Sequence, residues 1–295
     1  MNKLTAVAML SFLALLSQAA SAQTPVPDPM PDGSGDMYAG LGVLSAPRYA
    51  GADERRQRLL PVLQGQWSNG LFVSGMSAGL HLSSLPLLEY GPLVSLHPGR
   101  DDGGEGAGAV GIARLQGVGN LPNMPQALVQ YNARVLAEGN RLNGLPSIPR
   151  RLQGGAFLNL HVAPDLRLTS SALYGAGSGH NGATLKVGLQ AMALAPAPHH
   201  TVTLEAELAL ANRQYNQEFF GIDNDQSLRS GNPLYAAHGG WRDARLGARW
   251  HWTFTPSWML VSSFDVTRQL GSTRTSPLVE RTTGVSVSTA LAFRF

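Results

Sequence analysis

From Val285 to Phe295 the chain alternates strictly. Val285, Val287, Thr289, Leu291, Phe293 and Phe295 fall on one face; Ser286, Ser288, Ala290, Ala292 and Arg294 fall on the other. A period of two marks a strand with one apolar face and one small or polar face. The pattern recurs over 202–210, where Val202, Leu204, Ala206, Leu208 and Leu210 oppose Thr203, Glu205 and Glu207. It recurs over 243–254, where Ala244, Leu246, Ala248, Trp250, Trp252 and Phe254 oppose Asp243, Arg245, Arg249 and His251. Cleanly alternating segments also lie at 128–137, 152–162 and 184–192, and less regular ones at 36–44, 58–67, 71–82, 87–97, 166–175 and 257–270. With 284–295 these make twelve predicted strands, an even number that puts both ends of the sheet on one side.

The connections sort by length. Ser68-Asn69-Gly70, Ala163-Pro164-Asp165, Ala195 to Pro198 and Thr255-Pro256-Ser257 carry tight-turn chemistry. Arg48–Gln57, Glu138–Arg150, Gln214–Gly239 and Gly271–Thr283 are longer and polar, and they alternate with the short turns as external loops alternate with periplasmic ones. Pro98–Pro125 breaks the scheme: it is long and Gly-rich, yet the count assigns it to the periplasmic side. A weak strand near 109–118 would change that count.

Composition decides which kind of strand protein this is. The 295 residues hold 34 Gly, only 14 % charged residues and no Cys, and the formal charge of +3 is too small and scattered for a nucleic-acid partner. Lys3, the apolar run Leu4–Leu16 and Ala20-Ser21-Ala22 have the layout of a cleaved signal peptide. The predicted organisation is a signal peptide over 1–22, a Pro-rich then Gly-rich periplasmic leader over 23–35, and one all-β domain over 36–295. A soluble sandwich or lipocalin-like barrel would carry the same periodicity with the apolar face inward. Export, strand number, aromatic strand ends and weakly charged polar faces favour a transmembrane, antiparallel, up-and-down barrel of about 12 strands in the outer membrane, its apolar face in lipid. Phe293 and Phe295 are then the assembly signal on the closing strand.

The inward faces mix signs: Arg134, Arg167, Lys186, Arg245, Arg249 and Arg294 stand against Glu89, Glu205, Glu207, Asp243 and Asp265. A selective pore concentrates one sign, whereas balanced charges tie strands together. Glu205 is expected opposite Arg249, with Glu207 and Arg245 extending the pair. No catalytic, metal or cofactor site is expected. His81-Leu82-Ser83 offers a hydroxyl and an imidazole but no orienting carboxylate. His199-His200 reads as a solvated turn. Asp223-Asn224-Asp225 lacks the glycine and distal glutamate of a calcium loop.

The loops carry a resemblance. Tyr49-Ala50-Gly51-Ala52-Asp53-Glu54-Arg55-Arg56 with Leu60-Pro61 resembles the first-loop pattern of the MipA/OmpV family of outer-membrane proteins. Gly99-Arg100-Asp101-Asp102 and Gly117-Val118-Gly119-Asn120 resemble its next motifs, although Asn120 stands where the family usually has Asp. Phe219-Phe220-Gly221-Ile222, Ser227, Ser230-Gly231, Leu234-Tyr235 and Gly239-Gly240 with Asp243 resemble its long-loop signature. Arg268 to Gly271 and Ser276-Pro277-Leu278-Val279 resemble its penultimate loop, while 122–150 match nothing familiar. The resemblance implies a barrel without enzymatic activity. The family's namesake is a scaffold joining a murein-degrading lytic transglycosylase to a murein synthase; other members are described as adhesins or surface proteins. The leading expectation is such a scaffold, binding partners through the leader or Pro98–Pro125. The alternative is a channel, adhesin or surface receptor acting through lumen and external loops.

Overall fold

The computed structural model describes residues 35–83, 85, 87–105, 140–194 and 196–295. The expected signal peptide, nearly all of the leader, and the segments 109–118 and 128–137 lie outside the described residues.

Twelve antiparallel strands close into a barrel. In chain order they are β1 (Gly35–Pro47), β2 (Arg55–Trp67), β3 (Leu71–Ser74), β4 (Ser77–Leu80), β5 (Leu88–His97), β8 (Arg151–Ala163), β9 (Leu166–Ala176), β10 (Gly182–Leu194), β11 (His200–Ala211), β12 (Gly240–Thr253), β13 (Trp258–Gln269) and β14 (Thr283–Arg294). A two-stranded hairpin, β6 (Arg100–Asp101) and β7 (Gly104–Glu105), stands apart from the wall. Closure comes from β1 pairing with β14, Tyr38 opposite Arg294 and Leu41 opposite Leu291. That closes the sheet on itself among the described residues, as a lipid-embedded sheet requires.

Two features depart from the sequence reading. The segment 71–82 is not one strand. At Gly75, in the left-handed region at φ 60°, the chain reverses, and Ser74 pairs with Ser77 across the turn. The hairpin is held by Phe72, whose ring lies over Gly79, where a Cβ would come within 2.4 Å of it. Periodicity marks this reversal only as a slip of one position, the outward set passing from Leu71 and Val73 to Ala78 and Leu80, which a bulge in a continuous strand would also produce. The second departure follows from the first. β5 pairs directly with β8, from Leu88 opposite Leu160 to His97 opposite Arg151, so no strand lies between them. The extra reversal turns β5 around, and the described start of Pro98–Pro125 emerges at the long-loop end: Arg100 pairs with Ile148 and Glu105 N–H donates to Arg48 O at 2.9 Å. The described start of that segment, residues 98–105, therefore lies at the end that carries the long loops and not at the short-turn end the strand count gave it.

The alternation itself holds. Leu41, Leu152 and Leu246 on the outer wall are 69 %, 69 % and 64 % exposed, while Thr203, Asp243, Arg249 and Asp265 on the inner wall are buried. An apolar exterior around a buried polar interior inverts a soluble protein and matches immersion in lipid. Aromatic side chains mark both rims. Tyr174 and Trp241 lie near the long loops; Trp252, Phe254, Trp258 and Phe295 lie near the short turns. At that lower rim His200 stacks on Trp250 and Trp252, both at 5.6 Å between centroids.

Candidate functional site: a packed lumen under a folded cap

The lumen is filled from two sides. One cluster joins Phe72, Leu93, Phe157 and Leu173, with Phe72 and Phe157 edge to face at 5.5 Å. The other joins Val62, Val261 and Ala292, with Tyr38, Met259 and Ala290 packed on it. Between them runs a belt of charges. On β5 Glu89 takes Asn159 of β8 at 3.0 Å and Arg167 of β9 at 3.1 Å. Arg167 also donates to Gln190 of β10 at 2.6 Å. Lys186 of β10 pairs with Glu207 of β11 at 3.1 Å. Arg245 of β12 reaches Asp265 of β13 at 2.7 Å and Glu205 of β11 at 3.7 Å.

The cross-strand register differs from the expected one. Thr203, not Glu205, stands opposite Arg249; Glu205 faces Gly247 and Glu207 faces Arg245. Barrel stagger sets this offset, and glycine at 247 makes room for it: a Cβ there would lie 2.6 Å from Asp265 Oδ1 and 2.8 Å from Glu205. The cavities beside these groups are small. The one bounded by Phe157, Arg167 and Glu207 measures about 40 Å³ and the one bounded by Leu60, Arg249 and Val261 about 20 Å³. Each has room for a water or a few.

Above the lumen the long loops fold on one another. The connection after β11 contains α1 (Arg213–Phe220) and α2 (Asn224–Ser230), and α3 (Gly271–Arg274) follows β13. Asn212 caps α1 by accepting from Tyr215 N–H. Asp223 and Gln226 form a reciprocal capping box on α2. Asp223 is thus a cap residue, and among the described residues no three His, Cys, Asp or Glu side chains gather as metal ligands. Two hydrophobic clusters hold the cap. Tyr49, Ala52, Leu142, Ile222 and Leu278 form one; Ile148, Ala176, Ala211, Tyr215, Phe219 and Phe220 form the other.

The family-like residues converge here from separate loops. Tyr49 OH donates to Leu278 O at 3.0 Å. Gly51, at φ 97°, offers its carbonyl to the N–H groups of Glu280 and Arg281 at 2.8 and 3.0 Å. Arg100 donates from its guanidinium to Phe219 O, while Gly99 approaches Ile148 too closely for a side chain. Ser276 Oγ donates to Phe220 O at 2.6 Å, Pro277 O accepts from Arg141 at 2.9 Å, and Tyr235 OH donates to Ser272 O at 2.5 Å. Gly221 and Gly231 terminate α1 and α2, and Ser230 Oγ donates to Gln226 O. Asp101 sits in β6, Gly240 opens β12 and Pro61 lies within β2 opposite Leu41. Arg55 reaches Val285 O at 2.6 Å and Arg56 reaches Gly103 O at 3.2 Å. Gly117 and Gly119 lie outside the described residues. Burial pushes the Tyr49 and Tyr215 phenols up from their ordinary value and pulls the Arg100 guanidinium down, Glu105 opposing the latter.

Sequence reasoning missed the anchors of this cap. Arg48 is buried and joins Glu54 at 2.7 Å, Asp102 O at 2.6 Å and Gly103 O at 2.9 Å. Leu142 and Ile148 plug the stretch 140–150, which carries no periodicity to announce them. The helices did leave a signal, the Asp223…Gln226 spacing of a capping box. His81 and Ser83 do not meet as a reactive pair: the imidazole packs on Phe72 and Phe157 at 4.8 and 5.1 Å, and Ser83 Oγ donates to Leu85 O at 3.2 Å.

Comparison with known proteins adds a family. The family model described as MltA-interacting protein MipA matches residues 39–295. No curated protein gives a significant sequence match. Among solved structures the chain is similar to the KdgM porin (9 % identity, 88 % of this chain and 99 % of that one, TM-score 0.43). It is similar to the NanC porin (11 %, 86 % and 100 %, 0.45) and to the Pseudomonas putida toluene transporter TodX (10 %, 91 % and 90 %, 0.36).

Proposed function

The chain belongs to the MltA-interacting protein (MipA) family of outer-membrane barrels, and on that premise we propose that it is a sealed, non-enzymatic scaffold. Its partners are a murein-degrading lytic transglycosylase of the MltA type and a murein synthase. The observation that carries this reading is the packed lumen: apolar clusters, a cross-strand charge belt and a folded cap occupy the space that a conducting pore would leave to water.

A scaffold needs a periplasmic surface. With residues 98–105 at the long-loop end, the most apolar described connection at the opposite end is that from β4 to β5. There Leu82, Leu85 and Leu87 are each more than half exposed, and they sit beside the start of β5 at the end that carries the short turns. Clustered exposed leucines mark interaction surfaces. The test is co-purification of MltA with the full-length protein from detergent-solubilised envelopes, using wild type and the Leu82→Ser/Leu85→Ser variant. Retention of MltA by wild type and its loss from the variant support the reading; no retention by wild type contradicts it. Action through the external loops is the second reading, favoured by Leu228 and Leu234, which the cap leaves 86 % and 59 % exposed. Receptor or adhesin activity abolished by Leu228→Ser, with MltA retention unchanged, would select it.

A further inference from the structure

The outer wall carries a groove that neither the lumen nor the cap uses. It lies across β8, β9, β10 and β11, on the half of the barrel nearest the external loops, and has a volume of about 590 Å³. Its floor is small because the outward positions are Gly154, Ala156, Ala172 and Ala183; Tyr174 and Leu185 rise beside it. It is a shallow, open trough rather than an enclosed cleft, and its lining is almost wholly apolar.

Charge sits at its upper end. The register puts Gly154 level with Tyr174, Gly182 level with Ala176, and Thr184 level with Ala211. Arg150, just before β8, and Arg213, just after β11, therefore stand above the two sides of the same groove, three strand spacings apart across the wall and offset by two to three residues along it, a separation of about 16–17 Å. Both are exposed. Arg151 beside them is half-buried, and its Nε lacks a hydrogen-bond partner. Glu218, an acidic side chain near this rim, accepts from Ser178 N–H at 3.1 Å. An apolar trough below two exposed guanidiniums separated by that width fits acyl chains capped by anionic groups.

We propose that this face binds one molecule of the phosphorylated glycolipid of the outer leaflet. An acyl chain lies over Gly154, Ala172 and Ala183, and phosphates meet Arg150 and Arg213. The groove faces the leaflet in which that lipid resides, and its two parts match the two parts of the ligand.

The full-length protein in detergent micelles, titrated with bisphosphorylated lipid A and followed by native mass spectrometry, tests this. Wild type should retain one lipid A at concentrations where dephosphorylated lipid A and phosphatidylglycerol are stripped. Arg150→Gln/Arg213→Gln should weaken retention at least tenfold. Gly154→Leu should do the same by filling the trough. A Cβ at 154 meets nothing within 4 Å, so the barrel accommodates it, and heat-modifiable mobility on gels checks its folding. Equal retention of phosphatidylglycerol, or unchanged retention in the double arginine variant, overturns the proposal even if Gly154→Leu fails to assemble.

Discussion

Replacing Arg245 by methionine removes the cation that links three strands while keeping most of the side chain's length. Arg245 lies 2.7 Å from Asp265 and 3.7 Å from Glu205, and the three side chains are 16 %, 12 % and 19 % exposed. Breaking a buried pair by removing one partner costs about 3–5 kcal/mol, because the other charge is left desolvated. Here two carboxylates are left facing one another across Gly247. Partial exposure of all three side chains lets water share that cost and moves the expected loss down to about 2–3 kcal/mol. The assay is urea unfolding of the refolded barrel in micelles at neutral pH, followed by the fluorescence of its tryptophans. Asp265→Asn should cost less than Arg245→Met, since it leaves Arg245 with Glu205. The double variant should show a coupling of about 1–2 kcal/mol, as for contacting residues. A loss below about 0.5 kcal/mol in Arg245→Met, with no coupling, would mean that the belt is solvated and does not hold the strands, as exposed pairs fail to do.

Other parts of the structure can be tested in the same way. Leu208→Arg, on the lipid face, should destabilise the barrel by about 2–4 kcal/mol if near the midplane; an unchanged urea midpoint would place that face elsewhere than in lipid. Phe293→Ala/Phe295→Ala removes the edge-to-face contacts with Trp258 and between the two rings, at 5.0 and 5.2 Å, and should lower the yield of heat-modifiable barrel in membranes; normal yield would refute their assembly role. Tyr49→Phe should cost about 1 kcal/mol by leaving Leu278 O unpaired, read as faster protease cleavage of the external loops. Because burial raises the Tyr49 and Tyr215 phenols, the cap's stability is complete below about pH 10, the unfolded value, and falls as pH rises through the folded values. Alkaline protease sensitivity that Tyr49→Phe/Tyr215→Phe leaves unchanged would contradict that cause.

The barrel was legible because lipid writes a simple code. Val285, Val287 and Leu291 on one face and Ser286, Ser288 and Ala290 on the other need no tertiary information to be read as in and out, and the register confirms the split. What alternation cannot carry is direction. The reversal at Gly75 shifts the pattern of 71–82 by only one position, as a bulge would, while turning β4 and β5 the other way, so one unseen hairpin sent Pro98 to the wrong end. Pair partners were half legible: the inward identity of Glu205 and Arg245 follows from parity, whereas their contact depends on a stagger of two residues that no local pattern encodes. The cap shows the opposite balance. Tyr49, Arg100, Tyr235 and Ser276 were visible as motif residues, but their shared purpose, mutual carbonyl and cluster contacts between loops distant in sequence, exists only in three dimensions. Arg48 and Leu142 were invisible because a buried anchor in an aperiodic loop looks like any loop residue.

The central claim is that this barrel is sealed, and conductance across a planar lipid bilayer tests it most directly. Full-length protein, refolded and inserted at single-molecule density, should give no steady open level in symmetric salt, because the clusters around Phe157 and Val261 and the charge belt between them project into the lumen. A stable, ohmic current step with each insertion would contradict the account, and with it the scaffold reading that rests on a closed lumen.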